Sequence, residues 1–344
     1  MRLVAASVLM GLWLALCSNA SQTTKNDPGW QQTTAELIRE ENPGYGNLCG
    51  VVVDHKNGDV FIDLSDKGIY RSSDRGKNWR RLGDQLLKGR TEWPGCLMLD
   101  PFGKSEKMVV ALVYGVPITV SPDRSDTWKM MDPKSNHVDW CAVDWSDPDM
   151  KFILALKHES GGLLLASHDG GKSFKEVGKG FGPAWIFDNR TAVVAEARTK
   201  TKPKPGLLRT TDAGKSFQPC GSYHALPLPR WRDGTLYWVV EGALIASTDK
   251  GKTWEKRSDL KDGRFGPIFG KNAKHLLVLT NAGIVESRDA GQTWTRPIPL
   301  PKALGGVNPL TWMEYDPIHD VVYVMKMGSE LYKLERKRSQ GNRP

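Results

Sequence analysis

Ser247-Thr248-Asp249-Lys250-Gly251-Lys252-Thr253-Trp254 reads as S-x-D-x-G-x-T-W, and the pattern recurs along the chain. Residues 72–79 (SSDRGKNW) are the first copy, and residues 121–128 (SPDRSDTW) are a degenerate second with Ser125 in the glycine position. Residues 167–174 (SHDGGKSF), 210–217 (TTDAGKSF) and 287–294 (SRDAGQTW) complete a set of six. Successive copies start 49, 46, 43, 37 and 40 residues apart. Self-similarity at a period of roughly 20–50 residues marks a repeat architecture.

Short apolar runs precede several copies, such as residues 163–166 (LLLA) and 243–246 (ALIA). Runs of this kind bounded by turn residues read as strands, so the octet is a hairpin connection. Asp74, Asp123, Asp169, Asp212, Asp249 and Asp289 are placed to accept backbone N–H bonds inside the turn. The glycine two positions on supplies a left-handed backbone at little steric cost. The leading hydroxyl bonds locally, and the closing Trp or Phe folds back under the turn. Each octet offers one reliable carboxylate, too few for a calcium loop. No metal and no cofactor are expected.

The octet resembles the Asp-box, or BNR, repeat of β-propellers. That repeat occurs in sialidases, xyloglucan-cleaving glycosidases, sortilin-type receptors and photosystem II assembly factors. The resemblance covers about residues 47–335. It speaks to fold more than to activity, because those relatives do different things. Each repeat opens on an inner strand, near residues 48–53, 96–99, 140–143, 184–187, 225–228, 267–269 and 310–315. The octet joins the third strand to the fourth. The last repeat has strand-like runs but no octet, while Trp30-Gln31-Gln32-Thr33-Thr34 resembles Trp79-Arg80-Arg81-Leu82-Gly83 after the first octet. The expectation is an all-β, seven-bladed β-propeller of four-stranded antiparallel blades. Its ring is closed by an N-terminal strand joining the last blade, which pairs edges otherwise left open.

Residues 1–20 read as a secretory signal peptide, with Arg2, an apolar stretch over 3–16 and a small-x-small site at Ser18-Asn19-Ala20. The protein is therefore expected to be secreted or periplasmic, with no transmembrane span once the signal is removed. A lipid on Cys17 is the weaker alternative, because Leu16 stands where a small residue belongs. Residues 21–29 form a flexible segment, 30–335 the propeller and 336–344 a basic tail. Cys49, Cys96, Cys141 and Cys220 allow two disulfides in such a compartment, or serve as small buried hydrophobes. The net charge of +9 favours acidic surfaces or anionic polymers. No nucleic-acid motif is present, and a monomer is expected.

The resemblance implies that ligands meet the rim where the inner strands begin, around the central channel. The segments there carry Arg90, Glu92 and Trp93; His137, Asp139 and Trp140; Trp185; Tyr223 and His224; Arg264; and Trp312. Aromatic faces beside hydrogen-bonding groups suit sugars or peptides. The expected function is binding of a protein or glycan partner at the channel mouth. The resemblance implies a second reading, a glycoside hydrolase using Glu92 and Asp139 as its carboxylate pair. A third is an assembly factor, which would want an arginine cluster on one face. Sialidase activity is not expected. The resemblance would require three clamping arginines and an R-I-P segment, whereas only Arg90 and Arg264 lie at blade starts and the segment is absent. His158-Glu159 and His168-Asp169 read as solvated turn residues.

Overall fold

The apolar runs of each repeat form an antiparallel sheet whose strands pair in chain order, and seven such sheets make a seven-bladed β-propeller. The computed structural model describes residues 28–83 and 86–336. The expected signal peptide, the Cys17 alternative and the tail beyond Arg336 lie outside those residues.

Blade one shows the plan. Gly50–Val53, Val60–Asp63, Ile69–Ser72 and Arg80–Arg81 run from the channel outward. The first two strands are buried at every position, because each blade has a neighbour on both faces. The outermost strand has lost one neighbour and is polar, as Lys175–Gly178 is in blade three. Six sheets have four strands, and the sixth blade has three. Its fourth strand is reduced to a bridge between Ile284 and Ile298. Pro297 and Pro299 flank that bridge, and neither has an N–H to donate to a ladder. The inner strand of blade five is also displaced from its expected place. Residues 225–228 contribute only the Ala225–Val240 bridge, and the strand is Arg230–Arg232. Pro227 and Pro229 interrupt the earlier stretch.

The last blade closes as the sequence suggests. Gln31–Gln32 pairs with Tyr332–Glu335, with Gln31 opposite Lys333 and Gln32 opposite Tyr332. Thr33 N donates to Leu331 O at 2.9 Å, and Leu331 N donates to Thr34 Oγ1 at 2.9 Å. A short helix, Ala35–Glu41, follows, which the likeness of this segment to the one after the first octet does not predict. Leu37 and Ile38 pack from it onto the core shared by the first and last blades.

The octets have the expected internal bonds. In the copy at 247–254, Gly251 N donates to Ser247 Oγ at 2.9 Å, and Thr253 N and Oγ1 donate to the two oxygens of Asp249 at 2.9 and 2.7 Å. The closing aromatics also reach the preceding blade. Trp79 Nε1 donates to Thr33 O at 3.0 Å, and Trp294 Nε1 to Ser258 Oγ at 3.0 Å. In the degenerate copy Arg124 is buried and pairs with Asp54 of blade one.

Cys49, Cys96 and Cys141 are buried and Cys220 is half-buried, and none of the four forms a disulfide. The hydrophobe reading therefore stands and the two-bridge alternative does not. Cys49, Cys96 and Cys141 sit on successive inner strands or just before them. Burial pushes all four thiols up, Cys220 to about 11. Among the described residues no helix is long and apolar enough to cross a membrane.

Candidate functional site

Where the inner strands begin, three blades bring Arg90, Glu92 and Asp139 into one cluster with His158, Tyr45 and Tyr114. Arg90 is fixed by a reciprocal backbone pair with Val113, at 3.0 and 2.8 Å. Its Nε donates to Glu92 Oε1 at 2.6 Å. Its guanidinium lies between the rings of Tyr45 and Tyr114, 4.6 and 4.4 Å from their centroids, close enough for cation–π attraction on both sides. Asp139 is the second residue of Val138–Val143, where a bulge between Val138 and Trp140 takes it out of the ladder. His158 follows the paired strand Ile153–Lys157. Its Nδ1 stands 2.6 Å from Asp139 Oδ1 and 3.6 Å from Glu92 Oε2, and its Nε2 is 3.7 Å from Glu159.

His158 is only 7% exposed, so it is not the solvated turn residue expected from its position. A neighbouring blade covers it, which a local reading could not show. His168 is exposed and stacks on Phe152 at 5.3 Å. Burial raises the pKa of Asp139, against the hydrogen bond from His158. His137 is lowered by burial and then by the neighbouring His158 and Lys157. Tyr114, His137 and His158 stand edge-on to one another, with centroids 4.5, 4.9 and 5.7 Å apart. Tyr114, His137 and Glu159 all hold a left-handed backbone, at φ 54°, 52° and 47°. Non-glycine residues in that region gather at sites where the surroundings over-determine them.

The other expected residues do not join this cluster. Trp140 and Trp312 are 4% and 3% exposed and are used in blade packing. Trp93 and Tyr223 are half-buried against the core. His224 faces Glu241 at 3.1 Å, and the exposed Arg264 donates to Asn281 at 2.7 Å. Trp185 lies half-buried on blade four and lines a cavity at the opposite end of the ring.

That cavity, of about 500 Å³, is lined by residues of all seven inner strands and of the loops that follow four of them. It is the central channel, and it opens where the inner strands finish rather than where they start. Trp145, Trp185, Trp231, Phe102 and Phe269 supply its aromatic wall. Arg230 and Arg232, two apart on one strand, both line it. The acids nearby are already engaged. Asp54 pairs with Arg124, and Asp100 accepts four bonds from Phe102, Lys104 and Ser105. Glu314 accepts from Arg230 at 2.9 Å. Burial pushes Glu314 up to about 7, against the pull of Arg230. His55 is held down to about 4 by burial and by the two arginines, so it is neutral at pH 7. The lining thus combines aromatic surface with Lys104, Arg230 and Arg232, of which Arg230 pairs with Glu314 and Arg232 stands 4.0 Å from Asp233. Sequence reasoning missed Trp145, Trp231 and Arg230 as lining residues because inner strands show both of their ends alike.

No family model matches the chain, and no curated protein matches it in sequence. Solved structures do resemble it. The GH74 enzyme of Niastella koreensis superposes with a TM-score of 0.60 at 17% identity, over 86% of this chain and 53% of that one. This chain therefore spans about half the length of that enzyme. YCF48 from Cyanidioschyzon merolae gives a TM-score of 0.51 at 12% identity, over 89% and 98% of the two chains. YCF48 bound to D1 peptide gives 0.54 at 13%, over 90% and 97%. At such identities the likeness is one of fold.

Proposed function

We propose that this is an exported Asp-box propeller that binds a protein partner by taking an acidic peptide segment into the central channel. One observation carries the reading. A cavity of about 500 Å³ is walled by aromatic side chains from several blades and edged by Lys104, Arg230 and Arg232, while Asp54, Asp100 and Glu314 are spent on internal bonds and Asp233 stands beside Arg232. Aromatic walls with a few placed charges are how pockets fix orientation and select a ligand. The net charge of +9 agrees with an acidic partner. A YCF48 protein of similar fold is bound to D1 peptide, which supports a peptide over a sugar by analogy of fold. An assembly-factor role would be one form of this binding. It has two channel arginines, Arg230 and Arg232, in its favour.

The hydrolase reading has less support. Glu92 and Asp139 each place an oxygen within 4.8 Å of the other and of His158, but Glu92 is tied to Arg90 and Asp139 to His158. Both carboxylates are thus engaged with basic groups instead of standing free on either side of a glycosidic bond. The test is a paired screen of acidic peptide and glycan arrays against wild type, Trp185→Ala and Arg232→Ala. Peptide signals that both substitutions weaken support the reading. Glycan signals with that dependence would replace the peptide with a sugar. No substitution-sensitive signal on either array would remove the channel as a binding site.

A further inference from the structure

We infer that Glu92, Asp139 and His158 form a binding site for a divalent transition-metal cation at the end of the ring where the inner strands begin. The three residues come from separate segments on two adjacent blades, and Asp139 and His158 are both buried. One atom from each lies within 4.8 Å of the other two. His158 Nδ1 is turned toward both carboxylates, at 2.6 and 3.6 Å. Ligand atoms spaced by about 3 Å are what metal–ligand bonds of roughly 2.0–2.2 Å require. One imidazole and two carboxylates suit Zn²⁺ or Mn²⁺ better than an all-oxygen ion such as Ca²⁺.

The groups behind the ligands fit the same assignment. Glu92 has Oε1 held by Arg90, which leaves Oε2 as the oxygen facing His158. His158 Nε2 faces Glu159, the kind of carboxylate partner that orients a metal-bound imidazole. The charges also favour a cation. Three carboxylates, Glu92, Asp139 and Glu159, contact this cluster against the one guanidinium of Arg90. Three protein ligands would leave further coordination positions open, and the rings of Tyr114 and His137 stand beside His158.

The test titrates Zn²⁺, and Ca²⁺ in parallel, into full-length protein stripped with a chelator, read by calorimetry and by melting temperature. One Zn²⁺ per chain and a rise in melting temperature at saturation are expected. His158→Ala and Glu92→Gln should abolish the heat, with melting in the absence of metal showing that each variant is folded. Glu159→Gln changes only the outer partner of His158, itself an exposed side chain, and should weaken binding by about 10–100-fold. Co²⁺ in place of Zn²⁺ should give visible d–d bands that disappear in His158→Ala. Absence of any Zn²⁺-dependent shift in wild type would overturn the site. So would wild-type affinity in His158→Ala or Glu159→Gln, or Ca²⁺ binding as tight as Zn²⁺.

Discussion

A methyl group on Gly251 would overlap Cγ1 of Val193, one blade earlier in the ring. The octet is therefore more than a hairpin turn, since its glycine is where one blade lies directly on the last. Other copies repeat the relationship. Gly171 meets Met131 of blade two, Gly291 meets Leu244 of blade five, and Gly76 meets Thr33 beside the closing strand. Where the second copy has Ser125 instead, the adjacent Arg124 reaches back to Asp54 and replaces contact with an ion pair.

This separates two costs of losing a glycine. Gly251 and Gly234 both have a left-handed backbone, at φ 75° and 84°, but nothing lies within 4 Å of a Cβ on Gly234. Gly234→Ala should cost about 1–2 kcal/mol for backbone strain alone. Gly251→Ala should cost about 1–3 kcal/mol more from overpacking. Urea unfolding of both variants reads the difference, and equal losses would show that the contact with Val193 yields freely.

Ring closure is tested by a shortened chain. Removing residues 21–34 deletes the Gln31–Gln32 pairing, the Thr33 and Thr34 bonds to Leu331, and the acceptor of Trp79 Nε1. The melting temperature of the whole domain should fall, in one cooperative transition. A variant that melts with wild type would mean that the ring holds without its first strand.

Acid sensitivity follows from the octets. Asp169 and Asp289 are held down to about 2, first by the hydroxyls of Ser173 and Thr293 and then by backbone N–H groups. Burial acts upward on Asp249, but the bonds from Thr253 and Ser247 outweigh it and leave it at about 2. A folded-state value below the ordinary one of about 3.9 means stability that is present above pH ~4 and lost as pH falls through about 2. The contribution of the octets to the urea midpoint should hold from pH 7 to 5 and fall below pH 4. A triple variant with Asn at 169, 249 and 289 should show a flatter decline, and an identical decline would place the acid sensitivity elsewhere.

Glu314 runs the other way. Its folded-state value of about 7 lies above the ordinary carboxylate range, so its contribution is fully present below pH ~4 and is lost as pH rises through 7. Arg230 limits that loss. Arg230→Met should cost roughly 3 kcal/mol at pH 8, where a buried carboxylate is left unpaired. The cost should shrink toward zero at pH 5, where Glu314 takes up a proton. Denaturant unfolding at the two pH values checks this, and a cost independent of pH would mean that Arg230 acts through packing alone.

The parts of the fold that local chemistry decides are legible in the amino-acid order alone. The octet bonds stay within eight residues, and the similarity of Trp30 to Trp79 points to the closing strand. Proline displaces two elements that hydrophobicity alone misplaces, at residues 225–229 and 297–299. The site is legible only in part. Glu92 and Asp139 stand out by their place at the rim, but His158 looks like a turn residue because its burial comes from across a blade boundary. The channel lining is hidden for another reason, since alternation along a strand shows which face is apolar but not which end of the ring is open.

Closing the ring with the first strand also orders events in time. Consecutive blades can form and stack as the chain emerges, since each uses only local pairing and its predecessor. The last blade is incomplete until the final strand meets Gln31–Gln32, the most distant strand pairing among the described residues and the slowest kind to form. Until then the first strand is an open edge on a growing chain. It is two exposed glutamines long, too short and too polar to template pairing with another copy.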